Sequence, residues 1–266
     1  MKQDIQKELS PGYPWGEYLH YFDTIDSTNT QARQMAKQGA PAGTVLIADR
    51  QTGGRGRLGR TFHSPGGVGI YFSVILRPRC HATQLMHLTC AVAVAACDAL
   101  EKSTGLRPGI KWTNDLVHGK HKLGGILTEL GLNSDGTVDY AIIGIGINCC
   151  QKPEDFPEEI RSIAASLAMV TGQEIHRPQV AAALMEAMYR LDNTLLTETA
   201  ATMDRYRADC ITLGKDISLV RADGHVRHGT ALDIDKEGAL VVQLSDGHLE
   251  TVSSGEVSVR GMYGYL

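Results

Sequence analysis

The sequence predicts an α+β fold: a mixed, largely antiparallel sheet flanked by helices, followed by a small β module near the carboxy terminus. Three observations predict it. Apolar, strand-like runs at residues 44–48, 69–76, 122–130 and 140–148 lie between stretches with helical patterning. The turn Asn133-Ser134-Asp135-Gly136 joins two of those runs as a hairpin. Beyond Leu213-Gly214 the composition changes to short alternating runs split by Ala222-Asp223-Gly224, Asp235-Lys236-Glu237-Gly238 and Ser245-Asp246-Gly247, which predicts five short strands. The 266 residues therefore divide into an expected larger domain, residues 1–210, and a β module, residues 211–266.

Taken in order, residues 1–17 carry Pro11, Gly12, Pro14 and Gly16 and read as an irregular lead-in. Residues 18–25 form a candidate strand ending in Asp26-Ser27-Thr28-Asn29. These are N-cap residue types, and Thr30-Gln31-Ala32-Arg33-Gln34-Met35-Ala36-Lys37 continues as a helix. As caps they need no ligand; as small polar residues at a helix N-terminus they also offer hydroxyl, amide and backbone N–H groups to a polar molecule. Gly39, Pro41 and Gly43 end the helix before the strand at Val45. A turn at residues 62–67 precedes the strand 69–76. The helix expected over residues 84–102 is rich in alanine, which lets it pack closely on a sheet. Ile110-Lys111-Trp112 starts a strand that Thr113-Asn114-Asp115-Leu116-Val117 continues, and Gly119 marks a turn. The strand 140–148 is so apolar that both its faces must be covered. Gly144 and Gly146 alternate on one of those faces, where a ligand or another backbone is expected to approach. A short helix is expected over 162–171, a long one from Pro178 to about Leu196, and another over 203–209. No internal repeat or low-complexity segment is present.

At 42% hydrophobic and 21% charged, the composition is that of an ordinary globular chain. A net charge of −4 supplies no overall basic field for nucleic acid. The longest apolar helix candidate, residues 85–100, is too short to span a bilayer and contains His87 and Asp98. The first residues lack the apolar core of a signal peptide. Cys80, Cys90, Cys97, Cys149, Cys150 and Cys210 show no CxxC and no metal spacing, so no structural metal is expected and the pattern suits a reducing cytoplasm.

Positive charge is local instead. Gln51-Thr52-Gly53-Gly54-Arg55-Gly56-Arg57-Leu58-Gly59-Arg60 sets three arginines among four glycines directly after a buried strand, and no acidic residue occurs from Gln51 to Cys97. Such a loop suits a segment that orders itself around phosphate, carboxylate or both. Gly54 to Gly59 matches GxGxxG, but no helix pattern follows and the acidic residue expected about 20 positions on is missing, so a dinucleotide site is rejected. No phosphate loop of the GxxxxGK type is present. His63, His81, His87, His118 and His121 lie scattered and read as surface or packing residues. What remains is a set of cations and polar groups with no evident nucleophile: Arg55, Arg57, Lys111 and Lys122, with Asn114 and Asp115. Lys111 and Lys122 flank one expected turn, which brings them toward one site. Cations without a nucleophile fit a reaction between two mutually repelling substrates, such as a carboxylate and a nucleotide α-phosphate, with Asp115 near Mg²⁺.

These residues resemble the ordered motifs of biotin–protein ligases. The likeness rests on Asp26-Ser27-Thr28-Asn29, the loop Gln51 to Arg60, Lys111-Trp112-Thr113-Asn114-Asp115, Lys122-Leu123-Gly124-Gly125-Ile126-Leu127 and Gly144-Ile145-Gly146-Ile147-Asn148, and so spans residues 18–150. The resemblance implies a catalytic domain like that of class II aminoacyl-tRNA synthetases and biotin–lipoate ligases, with a Src-homology-3-like barrel after it. It implies that biotin and ATP form biotinyl-5′-adenylate, and that biotin then passes to a lysine of biotin carboxyl carrier protein. Ser27, Thr28, Asn29 and Gln51 would contact the biotin ring and ureido group, with Gly54, Gly124 and Gly125 beside it. Arg55, Gly56 and Arg57 would close over carboxylate and phosphate, and Lys122 would hold the reacting oxygens. Lys111, Trp112, Asn114, Asn148 and Phe62 would line the nucleotide side, Phe62 standing where many relatives have tryptophan. Asp115 would help hold Mg²⁺. About 25 residues precede Ser27, too few for the DNA-binding domain of some relatives, so no repressor function is expected; a homodimer is the family's frequent state. The rival expectations are a lipoate–protein ligase and a non-catalytic nucleotide-binding regulator.

Overall fold

The computed structural model describes residues 1–221, 224–253 and 257–261. Among the described residues, twelve strands form two sheets. The larger contains β1 (Leu19–Ile25), β2 (Val45–Gln51), β3 (Gly69–Leu76), β4 (Gly109–Lys111), β5 (Asp115–His118), β6 (His121–Leu132) and β7 (Val138–Asn148). Their order is β1-β2-β3-β7-β6-β5-β4. Only the β1–β2 pair is parallel, because α2 (Thr28–Lys37) crosses over between them. The sheet is therefore mixed and largely antiparallel, as the sequence predicts.

Two layers cover it. The alanines of α2, Ala32 and Ala36, pack on Leu46, Ile75 and Ile142 on one face. On the other face lie α3 (Leu88–Thr104) and α6 (Arg177–Thr194), whose small residues bring them close together in the main core. α7 (Thr199–Asp209) follows, then the five-stranded antiparallel sheet of β8 (Asp216–Arg221), β9 (Val226–Ile234), β10 (Leu240–Leu244), β11 (Leu249–Val252) and β12 (Val257–Gly261), in the order β11-β10-β9-β8-β12. Part of the turn Ala222-Asp223-Gly224 lies outside the described residues.

Four local expectations differ from the structure. The lead-in is not irregular: α1 (Lys2–Glu8) buries Ile5 completely, and the Ser10 hydroxyl and N–H both donate to Glu186 on α6. A buried carboxylate and one apolar anchor hold a segment whose prolines and glycines conceal it. The stretch 110–117 is a hairpin rather than one strand, since Lys111 pairs with Asp115 across a turn at 112–114. The expected helix over 84–102 is a one-turn 3₁₀ segment, Ala82–Leu85, followed by α3. The joined span Ala82–Thr104 has the length and hydropathy of a membrane segment, but two-thirds of it is buried within the protein. Of the helix expected over 162–171 only α5 (Leu167–Thr171) forms; α4 (Glu158–Arg161) ends before it, and the residues between run beside β6: Lys122 N donates to Ile163 O, and Ala165 N to Lys122 O.

Candidate active site

The site lies on the face of the large sheet that carries α2. Register fixes its floor. Ser73 on β3 stands opposite Gly144 on β7, which stands opposite Leu127 on β6; one row further along, Tyr71, Gly146 and Gly125 align. Both β7 glycines leave room for side chains. A Cβ on Gly144 would sit 2.1 Å from Asn29 Oδ1, and one on Gly146 would sit 2.6 Å from the Phe62 ring. The approach expected from the sequence is therefore made by Asn29 and Phe62 themselves. Phe62 also meets Tyr71 edge-on, with ring centroids 6.3 Å apart.

Ser27, Thr28 and Asn29 are buried at the start of α2. Ser27 caps the helix, accepting from Thr30 N at 3.5 Å. Thr28 donates from its N–H to Gln51 Oε1 at 2.8 Å, and Gln51 Nε2 reaches Ser64 Oγ at 3.0 Å. Asn29 Nδ2 donates to Glu129 Oε2 at 3.0 Å and Leu127 O at 3.3 Å, while its Oδ1 lies 2.7 Å from Ser73 Oγ. Together these residues make a hydrogen-bonded polar wall built from four elements, α2, β2, β3 and β6.

The arginine loop covers it. Gly56 N donates to Arg60 O, and Arg55 bridges to Thr61, so the loop folds back on itself, with Leu58 at φ 54° near its tip. The two forward arginines diverge. Arg55 Nη1 pairs with Glu129 at 3.0 Å, whereas Arg57 Nη1 donates to Asn114 Oδ1 at 2.9 Å and Thr113 Oγ1 at 3.4 Å. Burial lowers the Arg57 pKa below the usual guanidinium value, and the nearby Asp115 carboxylate opposes that shift; the group stays cationic at neutral pH.

The opposite wall comes from β4, β5 and β6. Lys122 Nζ donates to Asp115 Oδ1 at 2.6 Å, and Lys111, buried, lies beside Asp115 in the β4–β5 register. The sequence expected the two lysines to flank one turn; in the structure two turns intervene, and β5 between them carries the carboxylate they border. Trp112 lines the cavity, but its indole N–H is engaged by Gly238 O at 2.9 Å, in the turn between β9 and β10. Asn148 Nδ2 donates to Ala165 O at 3.0 Å and so ties down the segment that closes the far end. Gly54 and Gly124 do not line the cavity. A Cβ on either would press on backbone oxygen, Phe62 O at 2.4 Å or Gly146 O at 2.5 Å, so these glycines serve close packing.

These parts enclose a cavity of about 570 Å³, in the range of small-molecule sites. Its lining is polar at Ser27, Thr28 and Gln51, cationic at Arg55, Arg57, Arg60, Lys111 and Lys122, and apolar along the segment 156–164. The apolar wall of Phe156, Ile160, Ile163 and Ala164, with Val259 from the second sheet, has no counterpart in the sequence reading. His63 Nε2 bonds Asp155 O at 2.9 Å and joins that wall to the arginine loop. Apolar residues in a loop carry no sequence signature beyond packing, and Glu129 and Ser73 read as ordinary strand residues. No cluster of three metal-ligating side chains occurs among the described residues. Asp115 is the carboxylate of the cavity. Such a cavity suits an elongated ligand with a polar ring at one end, an anionic junction in the middle and an apolar, flat group at the other.

The sequence profile of the Biotin/lipoate A/B protein ligase family matches residues 21–148, and that of the Biotin protein ligase C terminal domain matches 212–260. The chain is 34% identical to the bifunctional ligase/repressor BirA of Bacillus subtilis over 92% of its length and 74% of that protein's. It is 30% identical to the biotin–[acetyl-CoA-carboxylase] ligase of Mycobacterium tuberculosis, over 94% and 91% of the two chains. The structure superposes with a TM-score of 0.77 on the biotin protein ligase from Aquifex aeolicus in complex with biotin and ATP, at 29% identity and covering 91% and 98% of the chains.

Proposed function

The chain belongs to the Biotin/lipoate A/B protein ligase family, and on that premise we propose how its residues carry out the work of an ATP-dependent biotin–protein ligase. The first step joins a biotin carboxylate oxygen to the α-phosphorus of ATP and expels pyrophosphate. The second lets a lysine ε-amine of an acceptor protein attack the acyl carbon of biotinyl-5′-adenylate, with AMP leaving. The observation that carries the assignment of roles is one cavity lined by polar groups, by five cations (Arg55, Arg57, Arg60, Lys111 and Lys122) and by an apolar wall.

In this reading the ureido ring sits against Ser27, Thr28 and Gln51, with Asn29 and Gly125 beneath it. Ser27 Oγ acts only as a cap acceptor, so among the described residues its proton remains for a ligand carbonyl. Arg57, Lys111 and Lys122 surround the point where two anions must meet, and their charge offsets the repulsion between carboxylate and phosphate. Lys122 stands nearest the reacting oxygens. The same positive field stabilises the AMP leaving group, so both steps use it. Adenine packs between Phe62 and the wall of Phe156, Ile160 and Ile163, with Asn114 and Asn148 holding the surrounding backbone. MgATP is the substrate form, and Asp115 is the protein carboxylate placed to meet the ion, since Mg²⁺ commonly binds through one carboxylate and the phosphates. Arg55 and Gly56 shape the cover that keeps water from the mixed anhydride. The acceptor is a biotin carboxyl carrier domain, encountered in the cytoplasm, and the domain limits are 1–210 and 211–266.

Incubation with ATP, labelled biotin and a carrier domain tests this. Label is expected on the carrier lysine, with biotinyl-adenylate captured when the carrier is left out. Transfer of lipoate in place of biotin would move the assignment to the other branch of the family. Adenylate formation with neither acid would leave a nucleotide-binding regulator.

A further inference from the structure

Glu129 does not line the cavity, yet two of its three hydrogen-bond partners, Asn29 and Arg55, do. It lies on β6 two residues beyond Leu127, so both project to the site face. Its carboxylate accepts from Asn29 Nδ2 (3.0 Å), Arg33 Nη1 (3.3 Å) and Arg55 Nη1 (3.0 and 3.1 Å). All three partners are donors, and only an ionised carboxylate offers acceptors to all of them. Asn29 belongs to the floor, Arg55 to the cover, and Arg33 to the helix that carries Asn29. One side chain thus joins the two halves of the pocket.

The same carboxylate fixes a direction of hydrogen bonding. Because Glu129 can only accept, the Asn29 amide must turn its NH₂ toward it, which leaves Oδ1 facing Ser73. Ser73 is fully buried, 2.7 Å from that oxygen and 2.8 Å from Thr28 Oγ1. Its single proton goes to Asn29 Oδ1, which carries none of its own, whereas the Thr28 hydroxyl can supply the proton between it and Ser73. Ser73 then offers lone pairs to Thr28, whose one proton is shared between Ser73 Oγ and Gln51 Oε1. Thr28 Oγ1 lies 3.0 Å from Gln51 Oε1 as well, so both acceptors of its proton are protein atoms. The chain Thr28 → Ser73 → Asn29 → Glu129 donates away from the cavity throughout. Its inner end shows the ligand an oxygen with lone pairs, an acceptor for N–H.

We propose that Glu129 is a positioning residue for this reaction: it orients the Asn29–Ser73–Thr28 chain so that the pocket selects a ligand bearing ring N–H, and it anchors Arg55 so that the cover closes over that same ligand. The inference rests on the biotin-ligase reading of the site. A cyclic urea meets the requirement, whereas a dithiolane has no N–H to offer.

The test uses Glu129→Gln, which keeps the shape but puts one donor among three donors, and Ser73→Ala, which cuts the chain without touching Arg55. Glu129→Gln is expected to raise the KM for biotin about tenfold or more, the usual cost of leaving a buried polar group mispaired, while the KM for ATP stays within about threefold. Tryptic cleavage at Arg55–Arg60 in the biotin-free enzyme is expected to quicken about tenfold as the cover loses its ion pair. Ser73→Ala is expected to raise the biotin KM several-fold and leave loop cleavage at the wild-type rate. An unchanged biotin KM in Glu129→Gln would overturn the proposal, as would equal rises in both KM values or a Ser73→Ala enzyme with wild-type biotin KM. Wild-type protein that adenylates no biotin would instead remove the functional reading on which the inference rests.

Discussion

Arg57 and Arg55 are two residues apart in one loop, and the sequence treats them as a pair. The structure separates them. Arg55 turns outward to Glu129, and Arg57 turns across the cavity to Asn114. Arg57 is therefore the guanidinium that spans loop and opposite wall with its charge over the junction. Replacing it should leave the fold intact, because the loop's own backbone bonds do not use the side chain. Arg57→Gly is expected to release biotinyl-adenylate about 10–100 times faster, matching the roughly 1.5–3 kcal/mol of a charged hydrogen bond. A pulse of labelled biotin with ATP, followed by a chase, measures that release; retention at the wild-type rate would refute the clamp role.

At the scale of elements, β7 gives the site its shape by what it lacks. Gly144 and Gly146 were legible as a pattern of small residues on one face, but not as sockets for two different side chains. Their separation predicts separable effects. Gly144→Ala pushes on Asn29 and Gly146→Ala on Phe62. Each overpacked methyl costs about 1–3 kcal/mol locally. Gly144→Ala should raise chiefly the KM for biotin and Gly146→Ala chiefly that for ATP, read in one adenylate assay with each substrate varied in turn. A common shift of both constants in both variants would contradict the two-socket floor. The hairpin β4–β5 teaches a related lesson. Lys111 and Lys122 do converge, though through Asp115 on a strand that the sequence merged with its neighbour.

Across the whole molecule, distant segments are tied by a few buried polar groups. Trp112 joins the cavity wall to Gly238 in the turn after β9, and Arg207 on α7 bonds Ile234 O at the end of that strand. At the other end Glu186 holds Ser10 and Lys102. Burial pushes the Glu186 carboxyl up, but hydrogen bonds from Lys102 and Ser10 outweigh it and bring the pKa from 4.5 down to about 2. A depressed carboxyl pKa stabilises the fold above the unfolded value, and that contribution is lost as pH falls through the folded one. Stability is therefore expected to decline between pH 4.5 and about 2 through this group. Glu186→Gln should lower stability at pH 7 by about 1–3 kcal/mol and flatten that stretch of the acid limb, as followed by denaturant titration at each pH. A variant with the wild-type acid profile would show that the amino-terminal tie contributes nothing.

By itself the sequence determined the α+β class, the succession of most strands, the five-stranded end and most of the polar and charged residues that line the cavity. These are written in local signals: apolar period, N-cap types, glycine spacing and clustered arginines all act within a few positions of one another. Only the tertiary structure decided which of those residues face the cavity and which support it. Sheet register put Ser73, Gly144 and Leu127 in one row and set Glu129 beneath two of the motifs. Chain reversal laid the 156–164 wall against β6. Burial of Ile5 and Trp15, with bonds from Ser10 and Tyr13 to α6, turned residues 1–17 from a loose lead-in into a strap over that helix. Partners more than about twenty residues apart leave no mark on local pattern, because their pairing is a consequence of packing and hydrogen-bond satisfaction across the finished sheet.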